Sequence, residues 1–318
     1  MKVFGFLIIL CSFGANAQEL FPHNEPASSI PKNVIGIRTF GDSYNENGTQ
    51  RNLAALRLMY GLTPRVSMMA TGTFSNHHSK YLPSSLITHT HTSTGNTNYQ
   101  TGSFPRGLKY PYRFNGVYFY GKYRFLTEDG KNTHYRMAAY AEYSFISAAH
   151  DETEPNLLDD TKGCGFGLIA TYLKKHFAVS ITSGLILPGK YSEITPDFYG
   201  GELHTILQYG RALKYNLSFG YLIYPSEYSS YSETNINVYL EFMGKSYQTA
   251  KVIQNDIDIK PQTELLLGSH YVEFHPGIQA IINSNMRIDF SVGVPIINKS
   301  FTRFYPVYMI GIQRYFFL

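Results

Sequence analysis

The sequence lacks several features that soluble globular proteins usually have. It contains no tryptophan, and charged residues make up 16% of its 318 positions, below the roughly 25% typical of soluble domains. The formal net charge of +4 is small for this length, so the composition does not indicate a nucleic-acid-binding protein. Beyond the N-terminal region no run approaches roughly 18 consecutive apolar residues, which excludes a transmembrane helix there.

The N-terminal region has the organisation of a secretory signal peptide. Lys2 supplies a positive charge, residues 3–13 form an apolar run, and residues 15–17 read Ala-Asn-Ala, a small-residue cleavage site. The run is too short to cross about 30 Å of hydrocarbon as a helix, which argues against a membrane anchor. We therefore predict that residues 1–17 are a cleaved signal peptide and that the mature chain begins at Gln18.

Cysteine is almost absent from the predicted mature chain. Cleavage would remove Cys11 and leave Cys164 alone. An exported chain with one cysteine has no internal disulfide. The fold must therefore be held together by hydrogen bonds and packing.

Alternation of apolar and polar residues dominates the rest of the sequence. The clearest example is RFNGVYFYGKYRFL, residues 113–126. One face would carry Asn115, Val117, Phe119, Gly121, Tyr123 and Phe125, and the other Gly116, Tyr118, Tyr120, Lys122 and Arg124. Because successive side chains of a strand point to opposite faces, the segment predicts a strand with one apolar face and one polar face.

The same alternation recurs along the chain. Further segments lie at 33–44, 51–61, 65–76, 136–147, 163–173, 176–188, 199–209, 214–224, 234–243, 270–282, 286–296 and 304–317, with one uncertain strand in 246–267. Tight turns such as 61–64 and 211–213 alternate with longer polar loops at 77–111, 148–162, 189–198, 225–233 and 298–303. Short turns on one side and long loops on the other are typical of membrane barrels.

A soluble β-sandwich would also show this alternation. The segments here are 10–14 residues long, however, whereas soluble strands usually have about 5–6 residues and a tilted membrane-spanning strand needs about 9–11. Hydrocarbon cannot hydrogen-bond to backbone groups, so spanning strands must form a closed barrel. We predict an all-β fold: a transmembrane antiparallel up-and-down β-barrel of about 12–14 strands over residues 33–318, with a long external loop at 77–111.

A barrel of this kind belongs in the outer membrane of a Gram-negative bacterium, with the lipid bilayer around it. The last residues, 303–318, resemble the C-terminal strand by which the barrel assembly machinery recognises its substrates, although Leu318 replaces the usual final aromatic residue. Residues 18–32 carry no clear pattern, and we expect them to lie either in the periplasm or in the barrel lumen.

Two segments resemble a known family. YVEFHPGIQAIINSNMRIDFSVGVPI, residues 271–296, and the strand–turn at residues 60–65 are similar to outer-membrane proteins assigned as transporters of the meta pathway of phenol degradation, which are distantly similar to fatty acid and aromatic hydrocarbon channels. The resemblance implies a 12- to 14-stranded barrel that passes small, often hydrophobic, molecules. The His-rich insertion at 77–111 is not part of that family's pattern.

The inferred polar face carries charges of both signs. Basic residues lie on the early strands and acidic residues on the later ones: Arg57, Arg65, Lys122, Arg124 and Arg136, then Glu142, Glu202, Glu241, Glu273 and Asp289. If these side chains line a lumen, opposed basic and acidic walls would produce a transverse field that orients polar solutes. The alternative is that they pair with one another and fill the interior with salt bridges.

The loop at 77–111 contains four histidines close together. His77, His78, His89 and His91 fall within one short stretch, and neutral imidazole is a common ligand of zinc and copper. Their spacing matches no standard metal site, so the alternative is a solvated loop whose histidines serve only as polar residues. A second polar cluster at 151–160 could hold a divalent cation loosely.

These patterns together predict a channel that passes or takes up a small solute, hydrophobic or aromatic solutes included. The alternative is a non-conducting barrel whose external loops bind a ligand, a metal or a partner. A rim enzyme using the adjacent His150 and Asp151 is a third reading, but adjacency alone does not orient an acid and a base. We expect no enzymatic activity and no cofactor.

Overall fold

The computed structural model describes residues 21–82, 89–93, 96–100, 107–150, 152–196, 200–226, 233–261, 264–300 and 302–318, the segments 89–93 and 96–100 by their backbone alone. The predicted signal peptide, residues 1–17, lies outside the described residues. In the part of the chain that is described, no helix is long and apolar enough to cross a membrane.

The regular elements among the described residues are strands and one short 3-10 helix at Glu264–Leu266. In chain order the strands are β1 (Val34–Glu46), β2 (Thr49–Thr63), β3 (Val66–Ser75), β4 (His89–Ser93), β5 (Asn96–Gln100), β6 (Arg113–Asp129), β7 (Thr133–Ser144), β8 (Gly163–Lys174), β9 (Phe177–Pro188), β10 (Lys190–Pro196), β11 (Glu202–Gln208), β12 (Ala212–Tyr224), β13 (Asn235–Tyr247), β14 (Lys251–Gln254), β15 (Ile257–Ile259), β16 (Ser269–Ile282), β17 (Met286–Asn298) and β18 (Val307–Phe317).

Twelve of these strands close into an antiparallel barrel. The order around the barrel is β1-β2-β3-β6-β7-β8-β9-β12-β13-β16-β17-β18. The first and last strands pair from Val34 with Phe317 to Ser43 with Tyr308, which closes the sheet and leaves it without an edge. The predicted all-β barrel is therefore confirmed. We call the end at which β1 begins and β18 ends the terminal end, and the opposite end the loop end.

Alternation separates an apolar outer face from a polar inner face. On β6, Tyr118, Tyr120 and Lys122 are buried on the inside, whereas Phe119 and Tyr123 are 43% and 49% exposed on the outside. The outer face therefore carries the large apolar side chains that a hydrocarbon environment requires.

One face assignment on β6 was wrong. Alternation predicts that Asn115 lies on the outer face, but its side chain donates hydrogen bonds to Ser75 Oγ (2.8 Å) and Asp159 Oδ1 (2.6 Å) on the inside. The β3–β6 register shifts at Thr73, opposite Gly116, whose φ is +144°. This irregularity reverses the face before Gly116, and a φ of that sign is readily adopted only by glycine.

The segment predicted as a strand at 199–209 is not part of the barrel. It contains β11, which pairs with β10 and β14 in a separate four-stranded sheet, β10-β11-β14-β15, formed by the connections between β9 and β12 and between β13 and β16. Leu207, Val252, Ile259 and Leu266 form a buried cluster in this region. The external sheet buries one face just as a barrel wall does, so alternation cannot distinguish the two.

As a result, two connections lie at the end of the barrel opposite to the one that the sequence predicts. Because β11 does not cross the barrel, residues 211–213 lie at the loop end and residues 225–233 connect β12 to β13 at the terminal end. The uncertain strand in 246–267 corresponds to the end of β13 followed by β14 and β15 of the external sheet.

Candidate functional site: the barrel lumen

Two segments that are not barrel strands contact the inner face. We call residues 21–33, which precede β1, the inner segment, and residues 145–162, which connect β7 to β8 at the loop end, the inner loop. Ile30 of the inner segment and Leu157 of the inner loop belong to one buried apolar cluster with Tyr118 and Tyr120 of the barrel wall. The lumen is therefore occupied in part by the chain itself.

The backbone of the inner segment is held by charged side chains of the wall. The backbone N–H groups of His23 and Asn24 donate to the two carboxylate oxygens of Glu241, each at 3.0 Å. Lys122 donates to the carbonyl of Pro26 at 2.6 Å. Hydrogen bonds to charged groups contribute about 1.5–3 kcal/mol each, so these contacts fix the path of the segment through the lumen.

Side chains add further contacts to the inner segment. Arg57 donates to Glu25 Oε1 at 2.8 Å, and Arg136 donates to the hydroxyl of Ser28 at 2.9 Å. Phe21 packs edge-on against Tyr239 with ring centroids 5.8 Å apart. The segment is thus bound to several strands rather than to one.

One carboxylate of the inner loop faces a cluster of four donors. Glu154 accepts hydrogen bonds from Lys245 Nζ (2.7 Å), the Tyr271 hydroxyl (2.9 Å), Thr302 Oγ1 (3.0 Å) and Arg303 Nη2 (3.0 Å). Burial alone would raise the pKa of Glu154, but the cations of Arg303 and Lys245 outweigh it and lower the pKa to about 2. The carboxylate is therefore ionised at neutral pH and ties the loop to the wall.

A cavity of about 300 Å³ is bounded by both inner elements and by the wall. Its lining combines rings, cations, anions and aliphatic side chains. Tyr120 and Tyr140 stack with centroids 5.2 Å apart, and Lys214 Nζ lies 4.9 Å from the Tyr140 ring. The aliphatic side chains of Ile169 and Ile186 complete this side of the cavity. Such a lining can contact an aromatic ring and a polar substituent at the same time.

Three of the ten predicted lumen residues line this cavity. These are Arg57, Glu142 and Glu273. Glu142 accepts hydrogen bonds from Tyr118 (2.5 Å) and Lys214 (2.6 Å), and Glu273 accepts one from Tyr305 (2.7 Å). These three charges are thus paired with neighbours of the opposite sign or with hydroxyl groups.

Five others are directed into the barrel but bind protein groups. Lys122, Arg136 and Glu241 contact the inner segment as described above. Asp289 is fully buried between Arg287 Nε (2.9 Å) and Gln279 Nε2 (2.6 Å). Arg124 lies near the terminal end and donates to the carbonyl of Pro64 at 2.8 Å.

The remaining two lie away from the lumen. Arg65 is exposed in the turn between β2 and β3 at the terminal end. Glu202 is exposed on β11 of the external sheet, 3.5 Å from His204. Alternation predicts that both side chains face the lumen. That prediction is wrong here because Arg65 lies beyond the end of a strand and Glu202 lies on a strand outside the barrel.

The predicted metal-binding histidines fall into two groups. His77 and His78 lie directly after β3 and approach Asp159 of the inner loop. Of His89 and His91 the structure describes the backbone in β4, which pairs with β5 as a hairpin. Of the pair considered for a rim enzyme, His150 is buried and stacks on Tyr209 with centroids 3.9 Å apart, while Asp151 lies outside the described residues.

Several residues of this site have no local signal in the sequence. Glu154 and Arg303 are separated by 149 positions, and His77 and Asp159 by 82. Arg38 could have been found, because it shares the inner face of β1, where it donates to the carbonyl of Pro22 at 2.7 Å. Long-range partners require the barrel to be closed before they can be identified.

Comparisons with known proteins agree with this architecture. No protein-family model and no curated protein matches the chain by sequence. Among solved structures, the chain is similar to an outer membrane channel from Pseudomonas putida F1, with a TM-score of 0.54 and 12% identity over 94% of this chain and 100% of the channel. It also matches the NanC porin (TM-score 0.43, 9% identity, 87% and 98% covered) and the β domain of the Bordetella autotransporter BrkA (0.42, 10%, 89% and 99%).

The likeness to the Pseudomonas channel shows a shared fold. The chain therefore has the closed antiparallel barrel of an outer-membrane protein, and its twelve strands agree with the predicted range.

Proposed function

We propose that the protein is an outer-membrane channel of a Gram-negative bacterium that passes a small solute through the lumen cavity. The observation that carries this proposal is the cavity of about 300 Å³ inside a closed barrel, bounded by the inner segment and the inner loop. Both chain termini would lie in the periplasm, and the external sheet and the hairpin β4–β5 would face the outside. Insertion would depend on the barrel assembly machinery.

The lining favours a small aromatic solute with a polar group. Tyr118, Tyr120 and Tyr140 offer ring faces, and Arg57 and Lys214 offer positive charge beside them. The resemblance of residues 271–296 to the transporters of phenol degradation supports the same class of solute. In that segment Tyr271, Glu273 and His275 all line the cavity.

A non-conducting barrel is the second candidate, and a specific observation favours it. Several charges of the lumen are paired, for example Lys214 with Glu142 at 2.6 Å and Arg57 with Glu25 at 2.8 Å. If the inner segment and the inner loop never move, such pairing would fill the interior and leave the external loops as the functional surface.

Reconstitution into membranes distinguishes the two candidates. The folded protein is placed in planar bilayers, and in parallel in liposomes that are offered labelled benzoate or labelled glucose. A channel of the proposed class should conduct, and benzoate should enter faster than glucose. Liposomes without protein provide the background. A correctly folded protein that neither conducts nor admits either solute would overturn the proposed function and favour the binding barrel.

A further inference from the structure

Three side chains near the loop end converge although they are far apart in sequence. His77 Nδ1 lies 2.6 Å from Asp159 Oδ2, and His78 Nε2 lies 3.6 Å from the same oxygen. One possible ligand atom from each residue lies within 4.8 Å of the others. Two imidazoles and one carboxylate are a common donor set for zinc in proteins.

The spacing is close to what a zinc ion requires. Zinc binds nitrogen and oxygen ligands at about 2.0–2.1 Å, and tetrahedral geometry then separates two ligand atoms by about 3.3 Å. The distance from His78 Nε2 to Asp159 Oδ2 is 3.6 Å, too long for a hydrogen bond, and Nε2 of His78 is buried without a hydrogen-bond partner among the described residues. The contact from His77 at 2.6 Å is a hydrogen bond that a bound ion would replace, and the ring proton would then reside on Nε2.

The carboxylate is oriented for this purpose by a neighbouring amide. Asn115 Nδ2 donates to Asp159 Oδ1 at 2.6 Å and contacts Ser75 Oγ at 2.8 Å. One carboxylate oxygen is thereby fixed by β6, and the other faces the two histidines. Groups that orient a ligand in this way typically change metal affinity about 10–100-fold when they are removed.

We propose that His77, His78 and Asp159 form a zinc site that joins the end of β3 to the inner loop. The site has three protein ligands, so a water molecule or an external ligand would complete the tetrahedron. Because Asp159 belongs to the inner loop, a bound ion would hold that loop against the barrel wall at a point separate from Glu154.

The direct test is zinc binding by the folded, full-length protein in detergent after treatment with a chelator. Wild type should bind one zinc ion per chain in competition with a chromophoric chelator. His77→Ala, His78→Ala and Asp159→Asn should each weaken binding by at least about tenfold, and Asn115→Ala by about tenfold. The heat-dependent shift of the folded barrel on an SDS gel shows that each variant is folded.

Two controls make the result specific. His134→Ala removes a partly exposed histidine that pairs with Asp129 at 2.7 Å at the terminal end but belongs to no three-ligand group among the described residues, and it should leave zinc binding unchanged. The double variant His89→Ala/His91→Ala should also bind as wild type does. The site would be overturned if folded wild type bound no zinc, or if Asp159→Asn bound it normally while the double variant did not.

A second readout follows the loop itself. Zinc should protect the inner loop of wild type from limited proteolysis and should give no protection in Asp159→Asn. Equal protection in both proteins would contradict a site that includes Asp159.

Discussion

The inner segment and the inner loop both occupy the barrel lumen, but they are held in different ways. The inner segment is bound through its backbone, with contacts such as Glu241 to the N–H groups of His23 and Asn24, and also through side chains such as Glu25 and Ser28. The inner loop is bound through two buried carboxylates: Glu154 faces Lys245 and Arg303, and Asp159 contacts Asn115 and His77. The first attachment is distributed over many strands, and the second is concentrated on two buried charges, of which Glu154 has the larger number of donors.

This difference has a physical consequence for how each element could move. Losing one of many hydrogen bonds removes about 1–3 kcal/mol and leaves the others in place. Removing a buried anion that faces two cations costs about 3–5 kcal/mol, because the cations remain buried without their partner. We therefore expect a single change of charge at Glu154 to loosen the part of the inner loop around it, and the inner segment to stay in place after most single substitutions.

The largest effect should come from removing the inner segment altogether. Deletion of residues 18–31 takes away the chain that bounds one side of the cavity, so single-channel conductance in planar bilayers should rise several-fold. The SDS-gel shift reports whether the barrel still closes. A folded deletion variant whose conductance equals that of wild type would show that the segment does not restrict the pathway.

A single substitution should loosen the inner loop. Glu154→Gln leaves Lys245 without its anion and Arg303 with Glu273 alone, and the loop around residue 154 should detach with a loss of about 3–5 kcal/mol of docking free energy. Limited proteolysis should then cut within residues 145–162 faster than in wild type. Glu202→Gln, at an exposed position of the external sheet, is the matched control and should behave like wild type. A protected loop in Glu154→Gln would show that the attachment is not concentrated on this residue.

Lowering the pH should weaken the attachment of the inner loop at Glu154. Burial opposes ionisation of Glu154, but Arg303 and Lys245 lower its pKa from 4.5 to about 2 in the docked state. A lowered pKa stabilises docking above pH 4.5, and that contribution is lost as the pH falls from 4.5 towards 2. The rate of pepsin cleavage of the loop is compared between pH 2 and pH 4.5. Conductance is compared between pH 4.5 and pH 7. Glu154→Gln should lose the part of the pH dependence that this carboxylate causes, and an unchanged profile in that variant would refute the assignment.

The smallest effect is expected at the inner segment. Glu241→Ala removes the acceptor of two backbone N–H groups, yet Lys122, Arg57 and Arg136 still bind the segment. Conductance should change by less than about twofold, since each lost hydrogen bond contributes only a few kcal/mol at most. If the conductance of Glu241→Ala equalled that of the deletion variant, the inner segment would depend on this one residue. Its attachment would then not differ from that of the inner loop.

Much of the barrel could be predicted from residue periodicity. Residues such as Tyr118, Tyr120 and Lys122 were assigned to the inner face by alternation alone, because a strand has only two faces. The same rule failed at Asn115, where a single irregularity opposite Gly116 reverses the face, and at β11, which alternates in a sheet outside the barrel. Periodicity identifies a half-buried strand but not the sheet to which it belongs.

The contacts of the candidate site could not be predicted from residue periodicity. The inward direction of Glu241 follows from alternation, but its partners, His23 and Asn24, belong to a segment without any periodic pattern. The pairing of Glu154 with Arg303 joins two loops whose approach depends on closure of the barrel. Contacts of this kind are set by the three-dimensional path of irregular chain, which single-sequence patterns do not encode.

The central claim is that the lumen cavity is the pathway of the solute. Asn216 lines the cavity, whereas Leu213 on the same strand is 47% exposed on the outer face. In a Cys164→Ser background, Asn216→Cys and Leu213→Cys are each treated with a bulky, water-soluble thiol reagent while current through the reconstituted channel is recorded. We predict that the reagent reduces the current of Asn216→Cys by at least about half, because it places a bulky group in a narrow pore. The current of Leu213→Cys should be unaffected. A current that is unchanged after complete modification of Asn216→Cys would contradict the account.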